Sequence, residues 1–167
     1  RLGRGRDFVI EGDEYDSAFF DKTAKFLKYL PDVAVIANLE YDHADIYPDM
    51  DSLRLAFRRL VGLVPRSGRL ILGADSDEAM ALAPLARCKI ETFGLHADAT
   101  WRASEVRADG DRVRFELNRR GETMGHVSLP MFGAHNVRNA LAAMAVGDVA
   151  GLSVEEMREG LAEFRGV

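Results

Sequence analysis

Val33-Ala34-Val35-Ile36-Ala37-Asn38-Leu39-Glu40-Tyr41-Asp42-His43-Ala44-Asp45 runs from an unbroken apolar segment straight into a cluster of acids around one histidine. An apolar run this short predicts a buried strand, Val33 to Asn38, and the residues from Asp42 to Pro48 predict a polar loop. Open α/β sheets place their ligand sites beyond the carboxyl ends of the strands. Glu40, Asp42, His43 and Asp45 are therefore candidate metal ligands. An earlier segment repeats the arrangement: apolar Phe8-Val9-Ile10 is followed by Glu11, Asp13, Glu14 and Asp16. It predicts a strand over Phe8 to Glu11, neighbouring the first in one sheet.

Between these two runs, Tyr15 to Leu30 has only partly helical spacing and predicts a loop carrying a short helix, ended by Pro31. After Pro48, Asp51 or Ser52 can cap a helix whose Leu53, Phe57, Leu60, Val61 and Val64 recur at helical spacing, with Pro65 and Gly68 ending it. Arg69 to Gly73 predicts a strand, Asp75-Ser76-Asp77 a helix start, Glu78 to Ala86 a helix and Lys89 to Gly94 another strand. Such alternation implies a mostly parallel sheet covered on both faces, a three-layer α/β/α domain.

Around His96 the pattern changes. Trp101 to Arg107, Asp109-Gly110 and Arg112 to Leu117 form an alternating hairpin signal, and His126 to Leu129 adds a third antiparallel strand. Phe132 to Ala140 then opens an Ala- and Met-rich helix running to about Ala150, where Gly151 stops it. Ser153-Val154-Glu155-Glu156 is a capping box for a last helix, Met157 to Phe164. The domain is thus expected to carry a small antiparallel β region beside its parallel sheet.

At 167 residues, with 47% hydrophobic and 29% charged residues, the chain has the size and composition of one globular domain. A net charge of -5 leaves no general basic footprint for nucleic acid or an anionic membrane, so neither is an expected partner. No apolar stretch approaches a membrane span, and Arg1-Leu2-Gly3-Arg4-Gly5-Arg6 lacks the apolar segment of a signal peptide. The single Cys88 reads as a small buried thiol, and a reducing cytoplasm is expected. Beginning without methionine and almost at once in a strand, the chain reads as a piece of something longer.

The chemistry has bland alternatives. The group around His43 also reads as a solvated loop, although imidazole and carboxylate suit a divalent ion. Glu11, Asp13, Glu14 and Asp16 repel one another unless a cation or a helix N-terminus compensates. Asn136 and Asn139 stand three apart on one helical face, and side-chain amides both donate and accept, which suits an adenine edge. Asn136 reads equally as a helix cap. There is no Gly-x-x-x-x-Gly-Lys-Ser/Thr, no Gly-x-Ser-x-Gly and no Cys-x-x-Cys in these residues, which argues against a self-contained phosphate loop, a serine hydrolase and a zinc ribbon.

Three runs, taken in order and spacing, resemble the central ATPase domain of the Mur ligases: Val9-Ile10-Glu11-Gly12-Asp13-Glu14-Tyr15-Asp16, Asn38-Leu39-Glu40-Tyr41-Asp42-His43-Ala44-Asp45, and Gly133-Ala134-His135-Asn136-Val137-Arg138-Asn139-Ala140. The family usually has Ala where Gly12 stands. Asp13-Glu14-Tyr15-Asp16-Ser17-Ala18-Phe19-Phe20-Asp21-Lys22 is most similar to the murein peptide ligase branch. That branch joins UDP-N-acetylmuramate to the tripeptide L-alanyl-γ-D-glutamyl-meso-diaminopimelate in peptidoglycan recycling. The branch that adds L-alanine to the same nucleotide sugar is the alternative, and an inert nucleotide-binding or structural fragment is a third reading.

The resemblance implies ATP and Mg²⁺ as cofactors and small-molecule substrates. It implies that Glu11 coordinates a Mg²⁺ that bridges to the γ-phosphate and that His43 helps hold a second metal. Asp42 and Asp45 would orient His43. His135, Asn136 and Asn139 would contact ribose and adenine. It further implies that residues 1–167 are part of a central ATP-binding domain whose phosphate-binding loop and flanking domains lie outside them. No carbamylated lysine is expected, because the helix at 51 to 64 contains no lysine.

Overall fold

The computed structural model describes residues 5–41 and 46–164. Six strands form one sheet in the order of the chain: β3 (Val33–Ile36), β4 (Arg69–Gly73), β5 (Lys89–Gly94), β6 (Trp101–Asp109), β7 (Arg112–Arg119) and β8 (Glu122–Leu129). β3, β4, β5 and β6 pair in parallel, and β6, β7 and β8 pair antiparallel. The expected antiparallel strands therefore continue the parallel sheet through the β5–β6 pair. A separate two-stranded antiparallel sheet, β1 (Asp16–Ala18) with β2 (Asp21–Ala24), precedes them.

β4 is buried on both faces, and its alternation divides the core in two. Leu70 and Leu72 point into one apolar cluster with Ala34, Ile36, Leu53, Leu60 and Val61. Ile71 points into the other with Phe93, Trp101, Phe115, Leu141 and Met144. The first cluster is covered by α1 (Met50–Leu63), and the second by α3 (Ala134–Val149) and α4 (Val154–Glu163). This is the expected α/β/α layering, with helices on the two faces of a largely parallel sheet.

Among the described residues, Glu91 is the one charged side chain in the core, at 2% exposure. Burial alone would push its carboxyl upward. The Trp101 Nε1 donor at 2.8 Å and the charges of Arg120, Lys89 and Arg69 more than offset that and hold it below the usual value.

Several local expectations need correction. Phe8 to Glu11 is not a strand: its backbone joins no ladder, and Phe8, Val9 and Ile10 are 75%, 83% and 47% exposed. Apolar runs report what a strand would bury and not whether a neighbour exists to pair with it, and β3 is the edge of the described sheet. Tyr15 to Leu30 does hold a short helix, the 3-10 turn Lys25–Lys28, but the β1–β2 hairpin in front of it was not legible. Polar cross-strand links close this hairpin, among them Ser17 Oγ to the Thr23 carbonyl at 2.9 Å and Lys22 to Asp16, so no apolar alternation marks it. The cap of α1 is Asp49, whose carboxylate accepts from the Ser52 amide at 2.7 Å, in place of Asp51 or Ser52. The helix expected over Glu78 to Ala86 breaks into α2 (Asp77–Met80) and a 3-10 turn, Ala83–Leu85, because Pro84 has no amide proton and disfavours helix in the residue before it. Ser76 caps α2, and the Ser153–Glu156 capping box of α4 is complete.

The carboxyl ends of β3 and β4 meet at one point. A Cβ on Gly73 would stand 1.9 Å from the Ala37 carbonyl oxygen, so only glycine lets the chain leaving β3 pass over the end of β4. Gly73→Ala is expected to cost about 3 kcal/mol by overpacking against backbone that cannot move aside cheaply. Urea unfolding monitored at Trp101 measures it, and a loss below about 1 kcal/mol would mean that the crossing is not tight.

Candidate nucleotide and metal site

The far end of the loop after β3 meets the first acidic segment. Tyr47 is buried, and its hydroxyl donates to the Glu14 carbonyl oxygen at 2.6 Å, joining the loop after β3 to the segment after Ile10. Tyr41 closes the same loop on itself, its hydroxyl donating to the Tyr47 carbonyl at 2.9 Å. Burial raises the Tyr47 phenol above its ordinary pKa, and the negative charges of Glu14 and then Asp13 raise it further. Neither tyrosine was singled out by its sequence. Their only signal was an aromatic residue inside and at the end of an otherwise polar loop.

Glu40 is exposed and accepts from Asn38 Nδ2 at 3.0 Å. Asp42, His43 and Asp45 lie outside the described residues. Among the described residues, no group of three His, Cys, Asp or Glu side chains is placed to hold a metal. Glu11 is exposed. Asp13 and Asp16, by contrast, are paired: Lys25 Nζ lies 3.2 Å from Asp13, and Lys22 pairs with Asp16. The Asp13 carboxylate also accepts from the Tyr15 amide at 2.8 Å. Much of the compensation this acidic run requires is supplied by lysines of the hairpin that follows it.

The third motif forms the first turn of α3. Gly133 is its N-cap and offers no side-chain bond. Asn136 is not the cap; its Nδ2 donates to the Phe132 carbonyl at 2.7 Å, which leaves the amide oxygen to accept. His135 folds back beside Gly133, its ring occupying the space a Cβ there would need. His135 and Asn139 are exposed, while Val137 on the opposite face is fully buried. Polar residues on one side of this turn and core residues on the other make it a surface that can take a polar planar ring. For the edge of a planar ring such as adenine the donors and acceptors present fit; for a metal, the described acidic segments offer Glu11 and Glu40 as exposed carboxylates.

A further group ties that turn to the sheet. Asp75, just beyond β4, accepts from Arg138 Nε of α3 at 2.7 Å and from the amides of Leu95 and His96 just beyond β5. Burial acts to raise the Asp75 carboxyl, but Arg138 and the two amides hold it below its ordinary value. The loop after β3, Asp75, Leu95 and the first turn of α3 are thus all attached to the carboxyl edge of the parallel strands. In the sequence Asp75 carries only the signal of a helix start.

Residues 5–147 match the Mur ligase middle domain. The chain belongs to the Mur ligase family. It is 39% identical over 165 residues to the UDP-N-acetylmuramate--L-alanine ligase of Salinibacter ruber, covering 99% of this chain and 33% of that protein. Among solved structures it resembles the UDP-N-acetylmuramate:L-alanyl-gamma-D-glutamyl-meso-diaminopimelate ligase of Neisseria meningitides, with a TM-score of 0.86 and 37% identity over 96% of this chain and 48% of that one. The murein peptide ligase of Psychrobacter arcticus gives a TM-score of 0.79 and 35% identity, covering 95% of this chain and 32% of that one. The chain therefore spans a third to a half of the length of these relatives. Mur ligases are ATP-dependent ligases that use Mg²⁺. No described helix is long and apolar enough to cross a membrane.

Tyr47→Phe removes the bond to Glu14 while keeping the ring in its apolar seat. It is expected to lower stability by about 1 kcal/mol, read by urea unfolding, and an unchanged midpoint would show that Tyr47 holds the segment around Glu14 by packing alone.

Proposed function

We propose that this chain is the larger part of the ATP-binding domain of a cytoplasmic Mur ligase that joins the lactyl carboxylate of UDP-N-acetylmuramate to the amine of L-alanyl-γ-D-glutamyl-meso-diaminopimelate. The reading is carried by the run Asp13 to Lys22, which resembles the murein peptide ligases. The fold likeness to two proteins bearing that description, at 37% and 35% identity, supports it. The second reading is the L-alanine-adding ligase, favoured by the 39% identity to the Salinibacter ruber protein. Both reactions share one chemistry up to the choice of amine.

In this mechanism the lactyl carboxylate attacks the γ-phosphorus of ATP, the bond to the β,γ-bridging oxygen breaks, and ADP leaves an acyl phosphate. The incoming amine adds to the acyl carbon, and phosphate departs as the amide forms. Bound Mg²⁺ would neutralise charge on the transferring phosphoryl group. Glu11 is the residue we assign to that ion, and His43 is assigned to a second ion near the acyl phosphate, with Asp42 and Asp45 orienting the imidazole. His135, Asn136 and Asn139 are assigned to the ribose and adenine. The chain has no Gly-x-x-x-x-Gly-Lys-Ser/Thr, so the γ-phosphate must be cradled by residues outside these 167, and the chain alone should turn over no ATP.

Full-length enzyme given UDP-N-acetylmuramate, ATP and either amine separates the two readings: phosphate release that requires the tripeptide supports the first, and release with L-alanine alone sinks it. In the same enzyme, Glu11→Gln and His43→Ala should each slow acyl phosphate formation on the order of 10²-fold without changing the melting temperature. Wild-type rates in both would remove these residues from the site.

A further inference from the structure

The exposed face of α3's first turn can recognise a ligand only if the helix has one rotation and one height relative to the sheet. Val137, Leu141 and Ala145 are fully buried on the opposite face, and apolar burial of this kind is not directional. The directional restraint is Arg138. It follows His135 by three residues and immediately precedes Asn139, so fixing its guanidinium fixes the turn that carries both.

That guanidinium is held by a carboxylate that is itself unusually well fixed. Asp75 accepts from the Leu95 amide at 2.9 Å, from the His96 amide at 3.0 Å and from Arg138 Nε at 2.7 Å. A Cβ on Gly94 would lie 2.7 Å from the Asp75 Oδ2, so glycine there leaves room for the carboxylate to reach those amides. Charge-assisted hydrogen bonds of this kind carry geometric specificity as well as energy. Asp75 thus ties the turn after β4, the turn after β5 and the start of α3 into one unit.

We propose that Asp75 and Arg138 are positioning residues for nucleotide recognition: they hold α3 so that His135, Asn136 and Asn139 face the nucleoside in its bound orientation. The proposal rests on the assignment of that turn to ATP. It makes Arg138 act through its neighbours and not by touching the ligand. It also makes the pair non-exchangeable, because an arginine at position 75 cannot accept the amides of Leu95 and His96.

The test uses the full-length ligase, with affinity for ATP measured directly by calorimetry in the absence of the other substrates, alongside steady-state kinetics. Arg138→Ala should weaken ATP binding and raise the KM for ATP roughly tenfold, the scale expected when contacts survive but lose their alignment. The KM for UDP-N-acetylmuramate and kcat at saturating ATP should stay within about twofold. Arg138→Lys should recover most of the affinity, Asp75→Asn should lose it, and the exchanged pair Asp75→Arg with Arg138→Asp should not restore it. ATP affinity unchanged in Arg138→Ala overturns the proposal. So does a parallel loss for both substrates with a fallen melting temperature, which would mean a merely structural role. A wild-type enzyme that binds no ATP overturns the nucleotide assignment itself, and the proposal with it.

Discussion

Everything at the working end of this domain hangs on β4, whose Leu70, Ile71 and Leu72 are fully buried and face two cores in alternation. A strand closed in on both faces and paired in parallel on both edges cannot slip by one residue without moving Leu70 and Leu72 into the other core and Ile71 out of its own. Its carboxyl end is correspondingly fixed. Gly73 receives the Ala37 carbonyl there, and Asp75, two residues on, takes hold of the turn after β5 and of α3. The loops that carry the candidate ligands are thus anchored to the most rigid element available.

What could be read from the sequence followed from this same element. β4 is apolar at neighbouring positions because both its faces are covered, and the limits of β4 and β5 agree with the expected ones; β6 and β7 alternate around Asp109-Gly110, while β8 begins at Glu122, ahead of the expected His126. The misreadings occurred where periodicity carries no information about partners. Phe8 to Ile10 has a strand's composition and no neighbour to pair with among the described residues, while β1 and β2 pair through polar side chains and have no strand's composition. By residue type Asp51 and Ser52 are as good a cap signal as Asp49, and only backbone geometry selects among them.

The candidate site rests on a different kind of signal. Glu11 and the Gly133 to Asn139 turn stand out by the order and spacing of motifs, which reflects a family and not a local propensity. Tyr47, Asp75 and Arg138 were missed because their roles are long-range: Tyr47 reaches Glu14 and Arg138 reaches Asp75 across stretches of chain that no local pattern connects. A tyrosine hydroxyl or an arginine looks the same in a sequence whether it is solvated or joins two segments, and burial is what separates the two cases.

The acidic segment shows how the fold distributes charge where a cation is expected. Four carboxylates between Glu11 and Asp16 require compensation, and a bound metal is one way to supply it. The hairpin that follows provides another, placing Lys25 beside Asp13 and Lys22 beside Asp16, with Lys28 at 2.7 Å from Asp21. Each of these pairs is solvent-accessible and contributes little to stability by itself. Together they change which carboxylates have reason to bind an ion. Asp13 also spends an oxygen on the Tyr15 amide, and so is committed to shaping the turn. Glu11 stands one step upstream, outside those ion pairs and at the exposed side of the segment. A divalent ion prefers a site with few protein carboxylates when phosphate oxygens and water complete its shell. By pairing Asp13 and Asp16 with lysines, the hairpin compensates two of the four carboxylates of the run without an ion.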